Sequence, residues 1–318
     1  MNKQHGFTLV EIFISLAVGL ALFAGVISVF VGMKTTSQKT TTYGELQENG
    51  RFALSVLSDD LLKQNFWGDY TGTLDLAMLN AVPTAPDDEC IGDGLNNGTF
   101  PAGVGHFRTL WGQTVSNSSI MGCIDDAKIA SDVIQFKRAI STPLTLSTAQ
   151  QHYIISNLSE ATIFTGTTIP AVLNSQLWEY QHHIYYIREE AQGNNTVPVL
   201  MQGRLTKKMT FDPIIDGIEM IRFMYGLDTD SPDDAGYGIV DTFVSADNMT
   251  ITQWDHGNNT RILAVRIYVL ARSILPDSRY TNSNTYNLGD LPVTFNDNYR
   301  RLLFNSTVTL YNAGVDSW

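Results

Sequence analysis

An uncharged apolar run near the amino terminus constrains this 318-residue chain more than any other feature. Residues 12–33, IFISLAVGLALFAGVISVFVGM, form a stretch of 22 residues without a charge. As a helix they would extend about 33 Å, enough to cross a bilayer core of about 30 Å. A secretory signal has a shorter apolar run with a small-residue cleavage site after it, and neither is seen here. The run therefore predicts a membrane-spanning helix.

Glu11 stands at the start of this run, where a lone carboxylate is costly. An ionised side chain inside a bilayer costs on the order of 3 kcal/mol, so such residues are usually functional. Its place near the end of the span lowers that cost. A free α-amino group on Phe7, created by cleavage after Gly6, is a natural partner at the i, i+4 spacing, in the same helix or in a neighbouring chain. The alternative is a plain single-pass anchor with an accidental charge.

The string Gly6-Phe7-Thr8-Leu9-Val10-Glu11, followed by an apolar helix, resembles the type IV prepilin signal. The resemblance implies that residues 1–6 are a leader peptide. It also implies that a prepilin peptidase cleaves after Gly6 and N-methylates Phe7, and that Glu11 guides the docking of subunits. The mature chain would be long for a major pilin.

Strings farther along the chain resemble the PilW family of minor pilins. They are LQENGRFAL at 46–54, DLL at 60–62, DGIE at 216–219, YGLD at 225–228, YRR at 299–301 and VTLYN at 308–312. The resemblance implies a type IV pilin-like α+β fold, in which a long N-terminal helix packs on an antiparallel sheet with long loops. It implies other minor pilins and the major pilin as partners.

A proline-free stretch before Pro83 permits one long helix, which we predict over about 7–64. Residues 7–33 would be the transmembrane and assembly segment, and 34–64 its amphipathic continuation. In the continuation, Leu46, Ala53, Leu57 and Leu61 recur at spacings of seven, four and four, which places them on one helical face. We expect this face to pack on the sheet.

The rest of the chain, 65–318, has the pattern of a β-rich globular domain, which the resemblance places in the periplasm. Short runs rich in β-formers predict strands at 131–138, 182–188, 218–226, 261–273 and 304–311. Stretches rich in Gly, Asp, Asn and Pro predict long loops at 80–126 and 227–260. The predicted fold is therefore α+β.

The two cysteines, Cys90 and Cys123, lie in the same loop-rich stretch. They are too few for a disulfide scaffold and lack the clustered partners of a zinc site. An oxidising periplasm favours a disulfide between them, which would contribute about 3–4 kcal/mol by loop closure. The alternative is a pair of buried free thiols.

An acidic loop offers the best candidate for a metal. Its carboxylates are Asp228, Asp230, Asp233 and Asp234. It departs from the EF-hand pattern, because Pro232 holds the fifth position and Ile239 stands where the bidentate Glu belongs. We favour a solvated turn and predict no cofactor, with calcium as the alternative. A second acidic cluster, Asp87, Asp88, Glu89 and Asp93, receives the same interpretation.

The remaining polar residues do not indicate an active site. His182 and His183 would point to opposite faces of a strand, one packed and one exposed, so they chelate one metal poorly. Trp178, Tyr185 and Tyr186 are expected in the core, and Arg300-Arg301 in surface ion pairs. No catalytic motif was recognised, so we predict that the chain is not an enzyme.

The net charge of −12 argues against nucleic-acid binding by bulk charge. The leading hypothesis is a minor pilin that primes the type IV pilus, near the tip. It would be held in inner-membrane lipid by one span, with its C-terminal domain in the periplasm, until it is assembled. One alternative is a minor pseudopilin of type II secretion. Another is a tip adhesin whose loops 80–126 and 227–260 bind a surface ligand.

Overall fold

The computed structural model describes residues 6–193 and 195–312. Residues 1–5 of the expected leader lie outside this range. The chain divides into two compact units, Met1–Glu45 and Leu46–Trp318. One helix, α1, extends over Leu9–Lys63, within a few residues of the predicted span.

In the first unit, α1 presents apolar side chains on every face. Those between Phe7 and Met33 are exposed. An 18-residue window has a mean hydropathy of 2.6 with none of it buried, so this helix is long and apolar enough to cross a membrane. Beyond Lys34 the helix becomes polar, and the hydroxyls of Thr35, Thr40 and Thr41 donate to carbonyls one turn back. These bonds satisfy the hydroxyls within the helix itself.

The second unit contains the last turns of α1 and the strands. Among the described residues there are thirteen strands. They are β1 Leu110–Thr114, β2 Asp132–Ala139, β3 His152–Ser156, β4 Ala161–Thr165, β5 Gln176–Gln192, β6 Asn195–Leu205, β7 Met209–Asp216, β8 Ile218–Asp228, β9 Thr242–Ser245, β10 Arg261–Arg272, β11 Thr285–Leu288, β12 Leu291–Thr294 and β13 Arg301–Thr309.

The strands form two main sheets and a hairpin. The first sheet has seven strands in the order β1-β2-β5-β3-β4, with β6 beside β5 and β7 beside β6. The second sheet has the order β13-β10-β8-β9, and β11 pairs with β12. The pairs between these strands are antiparallel, and one isolated bridge, between Ala81 and Thr162, is parallel. The predicted α+β class is confirmed.

Strand β8 connects the two sheets and is buried along its whole length. The carboxylate of Asp132 on β2 accepts a hydrogen bond from the backbone N–H of Phe223 at 2.8 Å. The hydroxyl of Ser131 accepts another from Ile221 N–H at 3.1 Å. Buried acceptors of this kind fix the register between the sheets, because an unpaired buried N–H is costly.

The predicted loops contain more regular structure than expected. Strand β1 lies within 80–126, and β9 lies within 227–260 with a 3₁₀ turn, Ala246–Asn248, and a short helix, α2, Ile251–Trp254. These elements have three to five residues each, too few to show a hydrophobic period.

Further strands lie outside the predicted runs, and proline and glycine explain part of the difference. The sequence did not predict β3, β4, β6, β7, β11 and β12, and β5 is much longer than 182–188. Strand β6 contains Pro198 and Gly203, and β7 contains Pro213, residue types that usually argue against a strand. Pro213 lies beside a register shift between β6 and β7, where the ladder tolerates a missing N–H.

Candidate functional site

The end of α1 packs on the sheets through the predicted face. Leu46, Ala53, Leu57 and Leu61 are at most 2% exposed. We call these four residues, with Gly50 between them, the helix–sheet interface. Burying an aliphatic side chain of this size contributes about 1.5–3 kcal/mol, so this stripe is a main source of the attachment.

Gly50 allows α1 to approach β13 closely. A Cβ atom at this position would lie 2.2 Å from the ring of Phe304. One residue earlier, Asn49 Nδ2 donates to the carbonyl oxygen of Asp216 at 3.0 Å. Gly217, which follows Asp216, has a φ of +81° and would meet the carbonyl of Arg272 if it carried a Cβ. Two strings that resemble PilW, 46–54 and 216–219, therefore meet at one contact.

Asp60 anchors the helix end through a buried polar cluster. Its carboxylate accepts hydrogen bonds from Arg138 Nη2, His183 Nδ1 and Tyr185 Oη, each at 2.6 Å. Burial opposes ionisation of Asp60, but the bond from His183 and the charges of His183 and Arg138 outweigh it and hold its pKa below the usual range. Tyr185 also accepts from Gln202 Nε2 at 2.5 Å.

The two histidines do lie on opposite faces of β5, but the expected exposed one is not free. His183 is half-buried and bonded to Asp60. His182 is fully buried, and its Nε2 lies 2.9 Å from Gln135 Oε1. Trp178, Tyr185 and Tyr186 lie in the core as expected.

The arginine pair near the carboxyl end forms ion pairs as predicted, but both side chains are buried, so the predicted surface location is wrong. Arg301 pairs with Glu219 of β8 and, at 2.7 Å, with Asp297. Its guanidinium also covers the ring of Phe295 at 3.6 Å from the centroid. Arg300 pairs with Asp277 at 2.7 Å. The planar guanidinium suits such partly buried pairs, which the sequence pattern alone does not distinguish from surface pairs.

The last described residue, Asn312, contacts the end of α1. Asn312 Nδ2 donates to the carbonyl of Gln64, and Asn65 Nδ2 donates to the carbonyl of Asn312, both at 3.0 Å. Asn65 has a φ of +57°, the left-handed conformation that commonly ends a helix. The closing string 308–312 thus reaches the same helix end as Asp60.

At the other end of α1, Thr8 and Glu11 form a capping box. Glu11 Oε2 accepts from the backbone N–H and the hydroxyl of Thr8, each at 3.0 Å, and Thr8 Oγ1 accepts from Glu11 N–H at 3.3 Å. The Thr-x-x-Glu spacing is a known helix start signal, so the sequence itself indicates that a helix begins here. Phe7 stands just outside and is 84% exposed. Docking by Glu11 and cleavage after Gly6 stay predictions.

The disulfide between Cys90 and Cys123 is present. Cys90 is fully buried in the main core. In the second acidic cluster, Asp87, Asp88 and Asp93 are exposed as a solvated turn predicts, whereas Glu89 is half-buried. Glu89 Oε1 accepts from Thr99 N–H at 2.6 Å, and Asp88 pairs with Lys208 at 3.3 Å.

The acidic loop gathers a different set of carboxylates from the predicted one. Asp228, Asp230 and Asp241 bring oxygens within 4.8 Å of one another, whereas Asp233 and Asp234 are not part of that group. The sequence could not indicate Asp241, because the pairing of β8 with β9 brings it there. Asp228 is buried and pairs with Arg261, as a structural turn requires. The expected absence of a cofactor stays a prediction.

Comparison with known families gives two matches. Residues 184–312 match the model of the type IV pilus-assembly protein W, PilW. Residues 1–27 match the prokaryotic N-terminal methylation motif. The first match includes Glu219, Arg301 and Phe304, and the second includes the capping box.

One solved structure is similar to this chain. A type IV-like pilin from Thermus thermophilus is similar, with 13% identity, a TM-score of 0.37, and coverage of 84% of this chain and 97% of that one. This likeness is too distant to support an inference about function. No curated protein matches. The two family matches, one at each end of the chain, are together those of a prepilin-type protein similar to the PilW family.

Proposed function

We propose that this chain is a minor pilin that primes assembly of the type IV pilus, in a tip complex with other minor pilins and next to the major pilin. The observation that carries the proposal is an apolar, fully exposed helix that starts at the methylation motif and continues into the helix–sheet interface. The match to PilW supports it. We expect no enzymatic activity.

The proposed domain organisation follows from the same helix. Residues 1–6 are the leader, 7–33 the membrane and assembly segment, 34–64 its continuation, and 65–318 a periplasmic domain. Before assembly the segment lies in inner-membrane lipid. In the filament it packs against neighbouring helices of similar apolarity, so the hydrophobic contribution nearly cancels between the two states.

The preference of the segment for the filament over lipid then depends on Glu11. A carboxylate is poorly satisfied in lipid and well satisfied beside the freed α-amine of Phe7 in another subunit. Within the described residues, the hydrogen bonds of its side chain come from Thr8 alone. The capping box uses Oε2, so Oε1 is left to accept from a neighbour.

Intact-mass analysis of protein from native cells tests the processing step. We expect loss of residues 1–6 and gain of one methyl group on Phe7. A chain that retains its leader in cells with active peptidase contradicts the proposal.

Two variants separate helix capping from docking. Glu11→Gln keeps a capping box, because glutamine serves at this position, but removes the charge. Thr8→Ala removes the box and keeps the charge. We expect Glu11→Gln to abolish co-purification with other minor pilins while membrane insertion stays normal. Thr8→Ala should co-purify. The opposite pattern would mean that the cap, rather than the charge, is what assembly requires.

A type II secretion pseudopilin is the first alternative. It shares the processing and the docking chemistry, so the two tests above do not separate it. Deleting the gene does: a minor pilin is needed for surface pili, whereas a pseudopilin is needed for protein secretion.

A tip adhesin is the second alternative, and one observation favours it. A cleft of about 430 Å³ opens at the loop region 80–126, lined by Ile91 and Leu95 of that region and by Leu76, which precedes it. Leu95→Asp places a charge on its exposed rim. An adhesin would lose adhesion with normal piliation, whereas a subunit that only primes assembly would keep both.

A further inference from the structure

Lys137 on β2 occupies an enclosed site beneath the loop region 80–126. Its side chain is fully buried. The Nζ atom donates to Asn97 Oδ1 at 3.2 Å and to the carbonyl of Arg108 at 2.8 Å, and lies 4.6 Å from the centroid of the Phe107 ring. None of the ion pairs in the described part of the chain includes Lys137.

A buried amine without a carboxylate partner favours its neutral form. Burial lowers the pKa of Lys137 well below the usual value, the charge of Glu89 opposes this, and the charge of Arg108 adds to it. A neutral lysine amine is a nucleophile, whereas the ammonium ion is not.

Asn97 presents its side-chain amide to this amine. It is 2% exposed, and its Nδ2 donates to the carbonyl of Asp93 at 2.8 Å. Its Oδ1 accepts a second hydrogen bond from Gln135 Nε2. His182 Nε2 lies 2.9 Å from Gln135 Oε1, which holds the Gln135 amide with its nitrogen toward Asn97.

Gln135 Nε2 donates to the atom that would gain charge in an addition to the amide, Asn97 Oδ1. Attack on Cγ moves negative charge onto Oδ1, and a fixed donor at that oxygen stabilises the resulting tetrahedral species. Lys137, Gln135 and His182 are all fully buried, and Asn97 lies 2% exposed at the base of the cleft in the loop region.

We propose that Lys137 and Asn97 form an intramolecular isopeptide bond. The lone pair of Nζ attacks Cγ of Asn97, the Cγ–Nδ2 bond breaks, and Nδ2 leaves with a proton from Nζ as ammonia. The product is a secondary amide between Cγ and Nζ. No oxidant, reductant or other reactant is needed, and one ammonia is released for each bond formed.

The bond would fix the loop region to β2 at a second covalent point. The disulfide joins Cys90 and Cys123 within this region. The isopeptide bond would join Asn97, which lies between those cysteines, to the first sheet. A reducing agent would then open only one of the two links.

Mass spectrometry of the full-length chain in detergent tests the proposal. After reduction and allowance for leader removal and methylation, the wild type should be about 17 Da lighter than its sequence, the mass of ammonia. Digestion should yield the peptide with Asn97 joined to the peptide with Lys137. A wild type at full sequence mass, with these peptides separate, overturns the proposal.

Three variants complete the test. Lys137→Met and Asn97→Ala should both show the full sequence mass, whereas Lys128→Met, at a partly exposed lysine paired with Glu189, should keep the deficit. A deficit that persists in Lys137→Met would overturn the bond itself.

Discussion

The carboxylate of Asp60 on α1 lies 2.6 Å from the guanidinium nitrogen Nη2 of Arg138 on β2, and both side chains are buried. Two charged groups withdrawn from water hold each other at the point where the helix ends on the first sheet. Removing one of them leaves the other buried without a partner. This costs more free energy than replacing both with apolar residues.

Asp60→Ala should therefore lower the free energy of unfolding of the second unit by about 3–5 kcal/mol. Chemical denaturation of the detergent-solubilised chain measures this. Asp59→Ala is the matched control, because Asp59 is exposed and pairs with Lys63 of the same helix. Its loss should stay below about 1 kcal/mol. Equal losses for the two variants would contradict the anchoring role of Asp60.

Gly50→Ala should destabilise the chain although alanine is the better helix former. The added methyl group meets the Phe304 ring, and overpacking of this kind costs about 1–3 kcal/mol. At the exposed Gly44, where a Cβ meets nothing within 4 Å, the same substitution should stabilise by up to about 1 kcal/mol. Thermal unfolding distinguishes the two. A stabilising Gly50→Ala would show that Phe304 moves aside without cost.

Asp132 should make part of the stability depend on pH. Burial raises its pKa to about 6, since one guanidinium, that of Arg222, is shared among Asp132, Asp247 and Asp290. Its stabilising contribution is then complete below the unfolded pKa of 3.8 and is lost as the pH rises through about 6.

Asp132→Asn should consequently destabilise more at pH 4 than at pH 7, by on the order of 3 kcal/mol at most. Denaturant titrations of both chains over this range give the difference directly. A penalty that grows with pH would mean that the ionised form of Asp132 is the one that the fold stabilises.

Removing the disulfide should cost about 3–4 kcal/mol, the loop-closure contribution for a ring of this size. The double variant Cys90→Ser, Cys123→Ser should show this loss, and reduction of the wild type should match it. An unchanged denaturation midpoint after reduction would mean that other contacts already hold the loop region in place. The proposed bond between Lys137 and Asn97 would be the first of these to test.

The sequence could predict features that repeat along the chain or lie close together in it. The spacing of Leu46, Ala53, Leu57 and Leu61 gave the buried face of α1 correctly, because a helix repeats every few residues. The spacing of Thr8 and Glu11 likewise indicates their capping box, because the two residues are only three positions apart.

The sequence could not predict contacts that depend on tertiary structure. Asp60 meets His183 across 123 positions, and Arg301 meets Glu219 across 82. No periodicity links such residues. The charge of Arg301 alone therefore predicts a surface location, whereas its pairing with Glu219 depends on the tertiary structure. The grouping of Asp241 with Asp228 depends on the short strand β9 in a predicted loop.

Strand β13 also bears on the order in which the chain can fold. Phe304 and Asn312, which contact Gly50 and the end of α1, are among the last described residues to be synthesised. Until they are made, the end of α1 lacks these contacts. A chain truncated before Phe304 would therefore keep its apolar helix, but the end of that helix would be less firmly fixed to the sheets.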